Sequence, residues 1–218
     1  MATKVFISAG TPADDSQKSF RDTVVNAVEL AGFTPRLMNT KDWDYKNPLR
    51  GVCRAMNECR GAVVVAYARY QIDAGSELRD GGGRPLESVA FPTAWNQIEA
   101  AMAYDKGLPL LVVAEKRLRR EALLDSGNDV KPFWTELDPT IGRSDGFQGY
   151  LRSWKEDVEK NAREPMRRSA LLREFTAGQV LSSLPWYELA ALVATLLGAL
   201  LAAVSIGYRL GSGQWPLG

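Results

Sequence analysis

Two runs, GAVVVAY at residues 61–67 and LPLLVVA at residues 108–114, constrain this chain more than anything else in it. Neither alternates apolar with polar side chains, so neither fits a sheet with one wet face. Continuous apolar, β-branched runs of this length read as strands buried on both faces, and such strands belong to parallel sheets covered by helices on each side. The segments around them agree. KVFIS at 4–8 is a short apolar strand, with the turn signal AGTP just after it. Residues 19–31 carry Phe20, Val24, Val25, Val28 and Leu30 at helical spacing, and Gly32 stops them. Residues 33–38 read as a second short strand, 39–48 as a polar loop, and 49–59 as a helix with Val52, Met56 and Cys59 on one face. Residues 71–92, with glycines at 81–83, two prolines and mixed charges, read as a long surface loop. Residues 94–106 form a helix ended by Gly107, 116–124 a basic helix, and 147–161 a last helix with Phe147, Tyr150, Leu151 and Trp154 on its apolar face. The expectation is an α/β fold: a parallel sheet with helices on both faces, and ligands bound beyond the carboxyl ends of the strands.

The mean hydropathy of −0.20 conceals an uneven distribution. Residues 189–207, LAALVATLLGALLAAVSIG, carry no charge. At ~1.5 Å per residue, a helix of this length can just cross a ~30 Å hydrocarbon core. Trp186 and Tyr187 flank one end and Tyr208 the other, as interfacial aromatics do. A buried core helix is the alternative, but it would normally keep a polar stripe. The predicted organisation is a domain over residues 1–162, a charged connector over 163–185, a single transmembrane helix over 186–209 and a short tail over 210–218. The start of the chain, MATKVFISAGTPADD, has no basic segment followed by an apolar run, so no signal peptide is expected. Arg167, Arg168 and Arg173 precede the span and only Arg209 follows it, which predicts a cytoplasmic domain.

Composition then narrows the chemistry. There is no histidine, so Ser-His-Asp and Cys-His catalysis, His-ligated zinc and an imidazole switch are all excluded. Two cysteines, Cys53 and Cys59, are too few for a four-thiolate metal site, and packing is their default role. A net charge of +1 gives no support to nucleic-acid binding through bulk positive charge. Lys116, Arg117, Arg119 and Arg120 lack interleaved aromatics and read as a solvated face. The glycines at 81–83 lack a following Lys-Ser/Thr and read as a flexible linker, not a phosphate cradle. Asp14 and Asp15 are natural helix N-caps. Acid–base work is left to carboxylates, and Glu99 stands apart among them. It lies in TAWNQIEAAMAY, with Trp95 at i−4 and Met102 and Ala103 at i+3 and i+4. A carboxylate on a helix of small and apolar residues is expected to be buried, with a raised pKa suited to catalysis. The alternative is a glutamate paired with an arginine or capping a loop.

Three stretches together resemble the Toll/interleukin-1 receptor (TIR) domain family, in particular its NAD-cleaving plant and bacterial branch. KVFIS followed by Asp15 and Phe20 resembles the family's first strand and helix start. AMNECRGAVVVAYARY resembles the helix and strand ahead of the catalytic segment, and Trp95-x-x-x-Glu99 has the family's Trp-to-Glu spacing. The resemblance implies a flavodoxin-like fold, Glu99 as the catalytic residue, and a substrate site formed by Trp95 with Ser8, Ala9 and Gly10. It implies cleavage of the nicotinamide–ribose bond of NAD without a metal or redox cofactor. It also implies partners limited to NAD or a related nucleotide, membrane lipid and further copies of the chain through the domain and the span. In a bacterium the location would be the inner membrane and the role antiviral defence. The segment 71–92 departs from the family as an insertion. The Glu-bearing segment also resembles nucleoside deoxyribosyltransferases. A catalytically silent nucleotide sensor that perturbs the membrane, and a homotypic adaptor, remain open.

The topology is directly testable. A cysteine introduced at Ser212 is expected to react with a membrane-impermeant thiol reagent in intact cells. Labelling only after lysis would reverse the assigned orientation.

Overall fold

The chain divides into two units, Met1–Ala170 and Leu171–Gly218. The computed structural model describes residues 2–38, 42, 48–79, 81–125, 130–163 and 195. The first unit runs β1 (Lys4–Ala9), α1 (Asp15–Leu30), β2 (Thr34–Leu37), α2 (Pro48–Asn57), β3 (Ala62–Ala66), β4 (Tyr70–Arg79), β5 (Gly82–Phe91), α3 (Ala94–Asp105), β6 (Leu110–Glu115), β7 (Phe133–Thr135) and α4 (Asp145–Arg163). Five strands form one parallel sheet in the order β2-β1-β3-β6-β7. This is a mostly parallel α/β architecture consistent with a flavodoxin-like fold, and the chain order reverses direction between β1 and β3.

All five residues of β3 are buried, as the uninterrupted run at 61–67 requires. Successive side chains point to opposite faces, so each strand feeds two cores. Val5, Ile7, Val63, Val65, Leu111 and Val113 pack with Phe20, Val24 and Val28 of α1 and Phe147, Leu151, Trp154 and Val158 of α4. Phe6 and Ala62 pack with Val52, Ala55 and Met56 of α2, and Val64, Ala66, Val112 and Ala114 pack with Ala100 of α3. Each large apolar side chain buried this way contributes roughly 1.5–3 kcal/mol. Helix ends are set by local chemistry. Asp14 caps α1 by accepting from the Gln17 N–H at 2.8 Å, and Thr93 caps α3 by accepting from the Trp95 N–H at 3.3 Å. Gly107, at φ +64, turns the chain from α3 toward β6.

The structure corrects three expectations. Residues 71–92 are not a loop: β4 and β5 form a two-stranded antiparallel ribbon, with Tyr70 opposite Phe91 and Arg79 opposite Gly82. The alternation of Tyr70, Ile72, Ala74 and Leu78 with polar neighbours drives it, and the glycines at 81–83 provide its turn and the start of β5 rather than a linker. Residues 116–124 are not a basic helix but turns and coil ending in a single 3₁₀ turn, Ala122–Leu124. Lys116, Arg117 and Arg120 are exposed, as a solvated face requires; Arg117 pairs with nearby Glu115, half-buried Arg119 with Glu77, and Arg120 lies over the Trp134 ring. Cys59 lies just beyond α2, buried, with its Sγ 3.2 Å from the Ala55 carbonyl oxygen. Strand β7 is an addition that the sequence pattern does not announce. Among the described residues no helix is long and apolar enough to cross a membrane. The expected span at 186–209 apart from Thr195, most of the connector, the tail and most of the loop at 39–48 lie outside the described residues.

Gly61 supplies a packing test. A Cβ there would meet Val158 Cγ2 at 2.5 Å and Trp154 Cζ2 at 3.1 Å. Trp154 cannot retreat freely, since its indole N–H donates to the Pro109 carbonyl at 2.9 Å. Gly61→Ala is therefore expected to destabilise the domain by about 1–3 kcal/mol, read as a lowered denaturant midpoint.

Candidate active site

Helix α3 buries a narrow stripe: Asn96, Glu99, Ala100 and Ala103. The alanines let the helix lie close to β3 and β6, and the same closeness carries two polar side chains into the layer. Glu99 is 8 % exposed, Asn96 3 % and Ser8 1 %. Ser8 stands on the same face of β1 as Phe6, where it meets α3 instead of α2. The Asn96 amide donates to Ser8 Oγ at 3.0 Å. The Ser8 hydroxyl also lies near enough to the Glu99 carboxylate to favour its ionised form. Asn96, Ser8 and Glu99 thus form one buried polar cluster, in which Glu99 is the group able to carry negative charge.

Burial dominates the electrostatics. Desolvation pushes Glu99 from its ordinary 4.5 up to about 7, and the Ser8 hydrogen bond opposes this without reversing it. No cation contributes to this shift, so the arginine-paired alternative does not describe this carboxylate. The thiol of Cys59 is pushed by burial up to about 12, which removes it as a nucleophile near neutrality. Among the described residues no group of three or more Cys, Asp or Glu side chains could hold a metal ion.

The surrounding backbone is held tightly. Gly10 follows β1, and a Cβ there would approach Thr93 Cγ2 at 3.3 Å, so the turn passes directly against the start of α3. The Tyr67 hydroxyl donates to the Gly10 carbonyl. Buried Gln17 donates to the Ala68 carbonyl at 2.9 Å, while the Ala68 N–H donates to buried Glu115 at 2.8 Å. The ends of β1, β3 and β6 are thus latched together on the carboxyl side of the sheet, at the point where strand order reverses and where ligands of such folds bind.

The expected site residues separate. Ser8 lies within β1, buried, beside Glu99. Ala9 and Gly10 are half-buried at the strand end. Trp95 is half-buried and packs against the cluster of Phe6, Val52 and Met56 beside α2. The first turn of α1 is already occupied by Asp14 and Asp15, which satisfy its positive end internally. Asn96 is the residue the sequence reading misses. Its signal was present: a second polar side chain one helical turn before Glu99, on the alanine stripe. A separate groove of about 460 Å³ lies along α1, lined by Thr23, Asn26, Thr140, Arg143 and Gln148 among others. It contains no carboxylate and belongs to the other face of the sheet.

A raised carboxylate pKa has a stability consequence of definite sign. The folded state holds the Glu99 proton between pH 4.5 and about 7 while the unfolded state releases it, so stability falls as pH rises through that window. Between pH 5 and pH 8 the expected loss is about 2 kcal/mol. Chemical denaturation at the two pH values should show this drop in the parent chain and its absence in Glu99→Gln.

No family model matches this chain, and no curated protein matches it in sequence.

Proposed function

We propose that the protein is a TIR-like NAD glycohydrolase, held at a membrane by the apolar segment near its C-terminus. The observation that carries this reading is Glu99: a buried carboxylate with only neutral hydrogen-bonding partners, beside the switch point of a parallel sheet. The order β2-β1-β3-β6-β7 is the arrangement expected of the TIR-like, flavodoxin-related architecture. The lack of histidine fits a reaction that requires no general acid.

In this reading NAD and water become ADP-ribose, nicotinamide and a proton. The C1′–N bond of the ribose breaks with its electron pair moving to the nicotinamide ring. The ring nitrogen, positive in the pyridinium, takes that pair and leaves as the neutral pyridine nitrogen of nicotinamide. The ribose passes through an oxocarbenium-like state whose charge is matched by the Glu99 carboxylate. Water then adds at C1′ and its proton is released. Ser8 favours the ionised carboxylate against the burial that opposes it, and Asn96 holds Ser8 by donating to its Oγ. The dry layer around it excludes water that would otherwise screen the attraction. Cationic substrate favours ionisation of Glu99 on binding, so the raised pKa of the free protein does not prevent turnover. A cytoplasmic domain with this activity would deplete NAD, which is the chemistry of a bacterial defence effector.

Nicotinamide release by the full chain in detergent micelles is the test. Glu99→Gln is expected to reduce turnover at least ~100-fold with the fold retained. For the parent chain kcat/KM should rise with pH through about 7, since the ionised carboxylate is the active form. Asn96→Ala should displace that midpoint to higher pH by weakening the Ser8 hydrogen bond. A folded Glu99→Gln protein that releases nicotinamide at the parent rate would reject the proposal.

A further inference from the structure

The ribbon of β4 and β5 has two unlike edges. The outer edge of β5 is guarded. Ser88 at φ +52 kinks the strand, and at the base Ala90 bridges Leu118 and accepts from the Arg119 N–H at 2.9 Å. The outer edge of β4 has none of these devices. It runs for ten residues without proline or lysine, and among the described residues no strand pairs with it. A long unguarded edge invites a further strand.

The pattern of β4 indicates which strand. Because Ala90 turns its carbonyl outward from the ribbon, its partner Gln71 does the same on the other side, and so do the odd-numbered residues of β4. A second β4 laid antiparallel on that edge must therefore match odd residues with odd. Centring the match on Ser76 sets Asp73 of each copy opposite Arg79 of the other, giving two complementary charge positions by symmetry. It sets Leu78, which is 87 % exposed, opposite Ala74. Glu77, paired with Arg119 in its own copy, falls opposite Gly75. The two neighbouring matches are worse: one sets Asp73 against Glu77, the other Glu77 against itself. The ribbon segment 70–91 holds four acidic residues and two arginines, which disfavours an anionic lipid surface as the occupant.

We propose that the occupant of this edge is a second copy of the same chain, and that two ribbons join through their β4 strands with Ser76 on the two-fold axis. The interface is independent of the reaction assigned to Glu99.

Cross-linking of the full chain in membranes tests the pairing and its register. Ser76 meets its own copy at a position between outward hydrogen-bonding pairs, where opposed Cβ atoms lie near enough for a disulfide. Mild oxidation followed by thiol quenching should give a covalent dimer from Ser76→Cys. The parent chain, which retains Cys53 and Cys59, should give none. Adding Asp73→Arg should lower the dimer yield about fivefold, the effect of mispaired cross-strand charge. Adding Arg79→Asp as well should restore it. Absence of the Ser76→Cys dimer, a dimer indifferent to both charge changes, or cross-linking of Ser76→Cys to a different protein would overturn the proposal.

Discussion

Strand β3 has no face left for water, and the rest of the domain follows from that condition. Five consecutive residues, Ala62–Ala66, need apolar cover above and below and a hydrogen-bonded neighbour on each side. Strands β1 and β6 provide the neighbours. Helices α1 and α4 close one face, α2 and α3 the other. The two covers are not equivalent. The α1–α4 layer is filled by Phe20, Phe147 and Trp154, whereas the α3 side is built from alanines opposite Val64, Ala66 and Val112. Small residues bring a helix backbone close to a sheet, and closeness leaves little room for solvent. The environment that raises the Glu99 pKa is therefore a by-product of how β3 is covered.

The parts of the fold decided by local periodicity were legible before any coordinates. The runs at 61–67 and 108–114, the 3.6-residue spacing of α1 and the stop signals Gly32 and Gly107 all correspond to elements in the structure. What periodicity does not encode is long-range partnership. The basic segment after Glu115 has helix-forming composition but no apolar stripe, and its arginines find Glu115, Glu77 and Trp134 instead. The ribbon is hidden for a different reason. A glycine triplet reads as flexibility, yet the Asp-Gly pair at 80–81 between two alternating runs is a hairpin signal. At the site, Glu99 is conspicuous as a charge among alanines. Asn96 is not, because an uncharged polar residue near a helix N-terminus is unremarkable until Ser8 is seen opposite it.

Stability and reactivity pull in opposite directions at this point of the fold. Filling the α3 layer with Val or Leu in place of Ser8 and Glu99 would suit the sheet better. The polar residues persist within the layer only because each donor has an acceptor, and the last acceptor is a group that can titrate. Such a cluster is tuned as a unit: loss of any member changes the proton affinity of the carboxylate as well as the packing around it.

The ribbon leaves and re-enters the domain at nearly one place. The Arg69 N–H donates to the Phe91 carbonyl at 2.8 Å, so the chain closes on itself before Pro92 leads into α3. Everything distal to that closure is topologically a side branch of the β3-to-α3 connection. A branch of this kind can lengthen, shorten or change sequence at its tip without altering the register of a single strand in the parallel sheet. The 81–83 turn is accordingly the natural site for inserting a reporter peptide, and lineages carrying the same core can be expected to differ most in the length of this arm.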